Sequence, residues 1–140
     1  MNLVLDASVA LAWAFEDERD GMATEVLEVL AGSEAVTPGI WPLEVANGLL
    51  TAERRGRISP QDANRFAALL VELPIVVEPG DRRRPFESVR LLARSHGLSA
   101  YDASYLELAL RLGIPLATLD GPLAAAVREA GGEVFGGESG

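Results

Sequence analysis

Four acidic residues, Asp6, Glu44, Asp102 and Asp120, stand where an apolar segment ends or a helix begins in this 140-residue chain. Asp6 closes the stretch Asn2-Leu-Val-Leu-Asp6-Ala-Ser8, in which Leu3 to Leu5 has the length and apolarity of a buried strand. A helical pattern starts at Val9, and an acid between such a strand and helix lies where α/β sheets place their ligands. Asp120 follows a second run of this kind, Leu116 to Leu119, and Thr118 before it could orient a neighbouring carboxylate. The only histidine is His96 and cysteine is absent, so a metal site here must be built from oxygen. Oxygen ligands select Mg²⁺ or Mn²⁺ over Zn²⁺. Carboxylates that converge also repel and raise one another's pKa, which a divalent cation relieves.

Each acid also has a purely structural explanation. Asp6 and Asp120 suit helix N-caps. Glu44 lies in a first helical turn, where the macrodipole favours an acid. Its face includes Asn47, Gly48 and Thr51, small or polar residues that leave room beside the carboxylate. Asp102 closes the capping box Ser99-Ala-Tyr-Asp102, as Asp62 closes Ser59-Pro-Gln-Asp62. Asp102 differs in sharing a stripe with Leu106 and Ala109, which directs it inward, where an unneutralised carboxylate is costly.

The elements that must position these acids follow in order. After the first strand, helices are expected over Val9–Phe15 and Gly21–Leu30, separated by an acidic turn, Glu16 to Asp20. Ala35-Val36-Thr37 reads as a second strand broken by Pro38-Gly39. Pro42 suits a first helical position, and the helix from Leu43 runs to about Arg55, with Gly56 to cap it. A helix from Ser59 ends at Pro74, and Ile75-Val76-Val77 is a third strand. Helices follow from Pro85 to His96, stopping at Gly97, and from Ser99 to Gly113. Leu116 to Leu119 is the fourth strand, Leu123 to Ala130 the last helix, and Val134-Phe135 a short edge strand. This alternation predicts one domain over residues 1–135, with a central, mostly parallel sheet of four to five short strands in a three-layer α/β/α fold, and a flexible tail over 136–140.

Nearly half of the residues are apolar, which excludes extensive disorder. No apolar run approaches the ~18 residues of a membrane span, and no signal peptide is evident, so a cytoplasmic protein is expected. The net charge of −9 argues against nonspecific nucleic-acid binding over the whole surface. All twelve basic residues are arginine. Two clusters, Arg54-Arg55-Gly56-Arg57 and Arg82-Arg83-Arg84, could grip phosphate bidentately or could simply be solvated helix ends.

The ordered set Leu5-Asp-Ala-Ser-Val-Ala-Leu11, Pro42-Leu-Glu-Val-Ala46, Gly97-Leu-Ser-Ala-Tyr-Asp-Ala-Ser-Tyr-Leu106 and Ala117-Thr-Leu-Asp120 resembles PIN domains, and more narrowly the VapC toxins of VapBC toxin–antitoxin pairs. The resemblance spans the chain and implies a PIN-like fold and a metal-dependent endoribonuclease. It carries the family's acidic quartet onto Asp6, Glu44, Asp102 and Asp120, and its polar helpers onto Ser8 and Thr118. It implies Mg²⁺, for which Mn²⁺ can substitute, with Asp6 and Asp102 as principal ligands and Glu44 and Asp120 completing the site. It further implies an RNA substrate, a homodimer and a VapB-type antitoxin. Such an antitoxin would present Arg or Lys to the acidic site and apolar anchors to a groove walled by Leu49, Leu50, Trp13 and Phe15. The alternatives are a non-catalytic RNA- or protein-binding module on the same fold, and a receiver-type Mg²⁺-binding signalling domain. The receiver needs paired acids after its first strand and a late lysine, and this chain has neither.

Overall fold

The structure, a computed structural model, describes residues 2–15 and 21–136. Its sheet has four parallel strands, β1 (Leu3–Leu5), β2 (Ala35–Thr37), β3 (Ile75–Val77) and β4 (Leu116–Ala117), in the order β3-β2-β1-β4. Val4 pairs with Val36 on one side and with Leu116 on the other. All three residues of β1 are fully buried. Successive strand side chains point to opposite faces, so both faces of β1 are covered, as in a parallel sheet between helical layers. The edge strand β3 is more exposed.

The helices are α1 (Ala7–Ala14), α2 (Gly21–Leu30), α3 (Trp41–Arg54), α4 (Pro60–Val71), α5 (Arg90–His96), α6 (Ala100–Leu112) and α7 (Gly121–Glu129). Local chemistry sets most of their ends. The hydroxyls of Ser59 and Ser99 each accept the backbone N–H three residues on, from Asp62 and Asp102. Gly97 and Gly113 terminate α5 and α6 at φ of 64° and 66°, left-handed values that glycine adopts without steric cost.

The structure corrects the expected elements in several places. Val134 makes only an isolated parallel bridge to Leu116, so no fifth strand forms among the described residues. The segment is held by the Leu116 N–H to the Glu133 carbonyl and the Phe135 N–H to the Leu116 carbonyl. The helix expected from Pro85 opens as a π-helical turn, Pro85–Val89, before continuing as α5. Trp41 rather than Pro42 begins α3, so the proline is its second residue. The acidic turn at Glu16 to Asp20 and tail residues 137–140 lie outside the described residues. Among the described residues no helix is long and apolar enough to cross a membrane.

The core joins β1 to Val9 and Trp13 of α1, Val26 of α2, Trp41 and Val45 of α3, Tyr105, Leu106 and Leu108 of α6, and Leu123 and Val127 of α7. α1 and α3 approach closely at Gly48. A Cβ there would lie 2.5 Å from Leu11 Cδ1. The space expected beside Glu44 on that face is therefore filled by Leu11.

Candidate active site

Register brings the first two pieces of the site together. Leu5 lies opposite Ala117, which sets Asp6 beside Thr118 at the carboxyl ends of β1 and β4. The Asp6 N–H donates to the Ala117 carbonyl, 3.0 Å away. Thr118 Oγ1 donates to Asp6 Oδ2 at 2.7 Å, and Ser8 Oγ donates to the same oxygen at 2.6 Å. The two hydroxyls also act as acceptors: Ser8 takes the Leu119 N–H and Thr118 the Asp120 N–H, both at 3.0 Å. This short network ties the two strand ends together. Asp6 stands at the N-cap of α1 but makes no side-chain capping bond. Its carboxylate is turned instead to Ser8 and Thr118.

Asp120 does cap its helix, since Oδ1 accepts the Leu123 N–H at 3.1 Å. The structural explanation is thus correct for one of its oxygens. Glu44 sits in the first turn of α3, and Oε1 accepts a 2.6 Å hydrogen bond from the hydroxyl of Tyr105 on α6. Asp102 lies in the first turn of α6, half-buried, on the stripe of buried Leu106 and Ala109 that its spacing foretold. Asp6, Glu44 and Asp120 are each pinned through one carboxylate oxygen by a hydrogen bond from the fold.

Electrostatics shows that the four groups share one neighbourhood. Burial raises the pKa of Asp6 above the ordinary carboxylate range, and the charge of Asp120 adds to this against the hydrogen bonds from Ser8 and Thr118. Glu44 is raised by burial and by Asp6 and Asp102, against the bond from Tyr105. Asp102 is raised by burial and then by Asp120 and Asp6. Three groups are therefore pushed toward protonation, first by desolvation and then by like charge from one another and from Asp120. Among the described residues, however, no three acidic or imidazole side chains are gathered into a closed metal-binding cluster. The set offers only oxygen donors, which fits a hard cation such as Mg²⁺ or Mn²⁺ that retains part of its water shell.

The arginine candidates divide. Arg54, Arg55, Arg82 and Arg83 are exposed. Arg57 lies over the Phe15 ring, 4.3 Å from its centroid. Arg84 is drawn into an internal ion network, 2.8 Å from Glu78 Oε1 and 3.5 Å from both Asp81 and Glu107. Arg111 completes that network at 2.6 Å from Glu78 and 2.8 Å from Glu107. His96 ends α5, as expected, 3.8 Å from Glu129.

Two features were not anticipated. Tyr105 bridges to Glu44 across 61 positions of sequence, and only its place three residues after Asp102, on the same helical face, hinted at it. Glu107 is buried between two arginines, and its i,i+4 spacing to Arg111 was the available signal. Of the expected groove walls, Leu49 is core, and Trp13 is core as well, its indole N–H donating to the Ala23 carbonyl. Leu50 is exposed. A groove of about 630 Å³ does run beside Trp13 and Phe15, but its other apolar walls are Ile58, Phe66 and Leu69.

Comparison with known proteins matches the PIN-domain family profile to residues 3–128, a span that holds all four acids. The chain belongs to the PIN-domain family. Ribonuclease VapC3 of Pyrobaculum aerophilum is 33% identical over 124 residues, covering 89% of this chain and 93% of that protein, which places the PIN domain among VapC-type relatives. PAE2754 from the same organism superposes with a TM-score of 0.74 at 24% identity, covering 96% of this chain and 88% of that one. VapC20 of Mycobacterium tuberculosis, described as a sarcin–ricin loop cleaving toxin, superposes with a TM-score of 0.63 at 19% identity, over 89% and 95% of the two chains. At these identities the two superpositions speak for the fold, which they match across nearly the whole chain.

Proposed function

We propose that this PIN domain is a Mg²⁺-dependent endoribonuclease, with Mn²⁺ able to substitute, and the toxin of a VapBC-type toxin–antitoxin pair. The observation that carries the reading is the mutual electrostatic coupling of Asp6, Glu44, Asp102 and Asp120 at the carboxyl edge of the sheet. Four acids with only local helix-end roles would have no reason to act on one another there. The relatives named as ribonucleases supply the substrate class.

In this mechanism Asp6 and Asp102 are the principal metal ligands. Glu44 and Asp120 complete the set, each able to present the oxygen that the fold leaves unbonded. Mg²⁺, when bound, supplies the positive charge that activates water and stabilises the cleaved phosphate. Ser8 and Thr118 orient Asp6 by occupying one of its oxygens, and the other would be the one presented to the metal. Arg54, Arg55, Arg82 and Arg83, which are exposed, would steer the RNA backbone in this reading, whereas Arg84 serves the internal ion network.

The partner in this reading is a VapB-type antitoxin that offers Arg or Lys to the acidic site through charge-assisted hydrogen bonds. Its apolar anchors would occupy the groove lined by Phe15, Ile58, Phe66 and Leu69. A cytoplasmic homodimer is the form expected for the toxin. The test is cleavage of a mixed RNA pool with Mg²⁺ and with EDTA, read by sequencing the new ends. Cleavage at defined positions that EDTA abolishes supports the proposal; full cleavage in EDTA overturns the metal role, and no cleavage in Mg²⁺ overturns the ribonuclease reading in favour of the binding-module alternative.

A further inference from the structure

We propose that Tyr105 is a positioning residue for the metal site, acting through Glu44. The inference rests on the metal-site reading above. Tyr105 is fully buried, and its ring belongs to the core that joins α6 to β1. Its hydroxyl is the only hydrogen-bond donor that reaches the Glu44 carboxylate among the described residues, at 2.6 Å from Oε1. Glu44 and Asp102 stand on different helices, α3 and α6. Tyr105 lies one turn beyond Asp102, so its bond to Glu44 sets the distance between the two carboxylates. A glutamate has three side-chain torsions, and this one is only half-buried. Without a fixed donor it would sample several rotamers and turn toward water, away from Asp6 and Asp102. A phenol held rigidly in the core selects one rotamer and leaves Oε2 as the oxygen free for the cation. Hydrogen bonds to a ligand's other oxygen serve metal sites in this way, and their loss commonly weakens metal affinity by about 10- to 100-fold.

The role is distinguishable from packing because Tyr105→Phe keeps the ring and removes only the hydroxyl. Mn²⁺ affinity is measured by calorimetry on the full chain, without RNA, for wild type, Tyr105→Phe, Glu44→Gln and the double variant. The expected result is a Kd that rises about tenfold or more for Tyr105→Phe, with the melting temperature changed by a few degrees at most. The double variant should bind no more weakly than Glu44→Gln, because Tyr105 acts only through Glu44. An unchanged Kd in Tyr105→Phe, or additive losses in the double variant, overturns the proposal. A wild-type chain that binds no Mn²⁺ overturns the metal reading itself, and this role falls with it. Should Tyr105→Phe fail to fold, 3-fluorotyrosine labelling supplies a second measurement, since the chain has two tyrosines and Tyr101→Phe assigns the signals. Mg²⁺ should then move the Tyr105 fluorine resonance in the wild-type background and leave it unmoved in Glu44→Gln; a resonance indifferent to Mg²⁺ in both rejects the proposal.

Discussion

Thr118 and Asp6 are 112 positions apart in sequence, yet the hydroxyl of one donates to the carboxylate of the other at 2.7 Å. Thr118 Oγ1 also accepts the Asp120 N–H, so a single hydroxyl links two members of the acidic quartet. Thr118→Val keeps the shape and removes both bonds. The Asp120 N–H loses its acceptor and Asp6 loses one of its two hydroxyl donors. Stability should fall by about 1–3 kcal/mol, the usual cost of unmade buried hydrogen bonds. Metal-dependent cleavage should fall about 10- to 100-fold. Denaturant melts and a cleavage time course on one preparation check both. An unchanged cleavage rate would remove Thr118 from the site.

Asp102→Asn separates a capping residue from a metal ligand. The cap of α6 runs from the Asp102 backbone N–H to Ser99 Oγ and survives the substitution. A capping carboxylate contributes through the helix dipole, roughly 0.3–1 kcal/mol. The same carboxylate is repelled by Asp120 and Asp6, and the amide removes that repulsion. The variant should therefore be as stable as wild type or more stable in the absence of divalent ions, and it should be inactive. Loss of stability with cleavage intact would make Asp102 structural.

The pKa directions predict how stability depends on pH. Asp6, Glu44 and Asp102 all titrate higher in the folded chain than an ordinary carboxyl. Over the interval between the ordinary and the raised values the native state binds more protons than the unfolded state, so stability falls as pH rises through it. Above the raised values the full cost of three desolvated, mutually repelling charges is present. If these groups hold a divalent metal as proposed, the metal would bind their deprotonated forms and offset that cost. The melting temperature without metal should fall as pH rises from the ordinary carboxylate range, about 4, through the raised values, while the gain on adding Mg²⁺ should grow over the same range. A Mg²⁺ gain that shrinks with rising pH would contradict the acidic site.

The parts of this molecule that were legible in the sequence are those set by near neighbours. Leu3 to Leu5 announced a buried strand because all three side chains are apolar, and all three are buried. Ser59, Ser99, Gly97 and Gly113 announced helix ends because capping involves residues within one turn. The four acids stood out because they fall at strand ends and helix starts. Contacts between distant segments were not legible. Nothing near Glu44 names Tyr105 as its partner, and nothing near Gly48 shows that Leu11 fills the space over it. Val134-Phe135 has strand composition, but the chain offers it only one bridge to Leu116. Arg84 resembles its neighbours Arg82 and Arg83 in sequence, and only folding places it against Glu78 and Glu107.

That last distinction gives a prediction in which neighbouring arginines behave differently. Glu107 is buried, and Arg84 and Arg111 approach it from the loop after β3 and from α6 itself. Glu78, at the end of β3, takes a second bond from each arginine. The network thus fastens the β3–α5 connection to the helix that carries Asp102. Removing one member of such a network leaves the others desolvated without full compensation, which costs about 3–5 kcal/mol when the pair is wholly buried. Each arginine side chain is roughly one-third exposed, so solvent screening reduces the figure to about 1–3 kcal/mol. Arg84→Ala and Glu107→Ala should therefore lower the melting temperature, by several degrees for a domain of this size. Arg82→Ala and Arg83→Ala, which alter exposed side chains, should stay within about 0.5 kcal/mol of wild type. If these two steer RNA, their effect should appear as a raised KM that weakens as salt increases, because phosphate contacts are screened. Equal destabilisation by all three arginine substitutions would mean that the network does not hold the loop. A KM in the Arg82 and Arg83 variants that matches wild type at every salt concentration would mean that RNA does not pass that face.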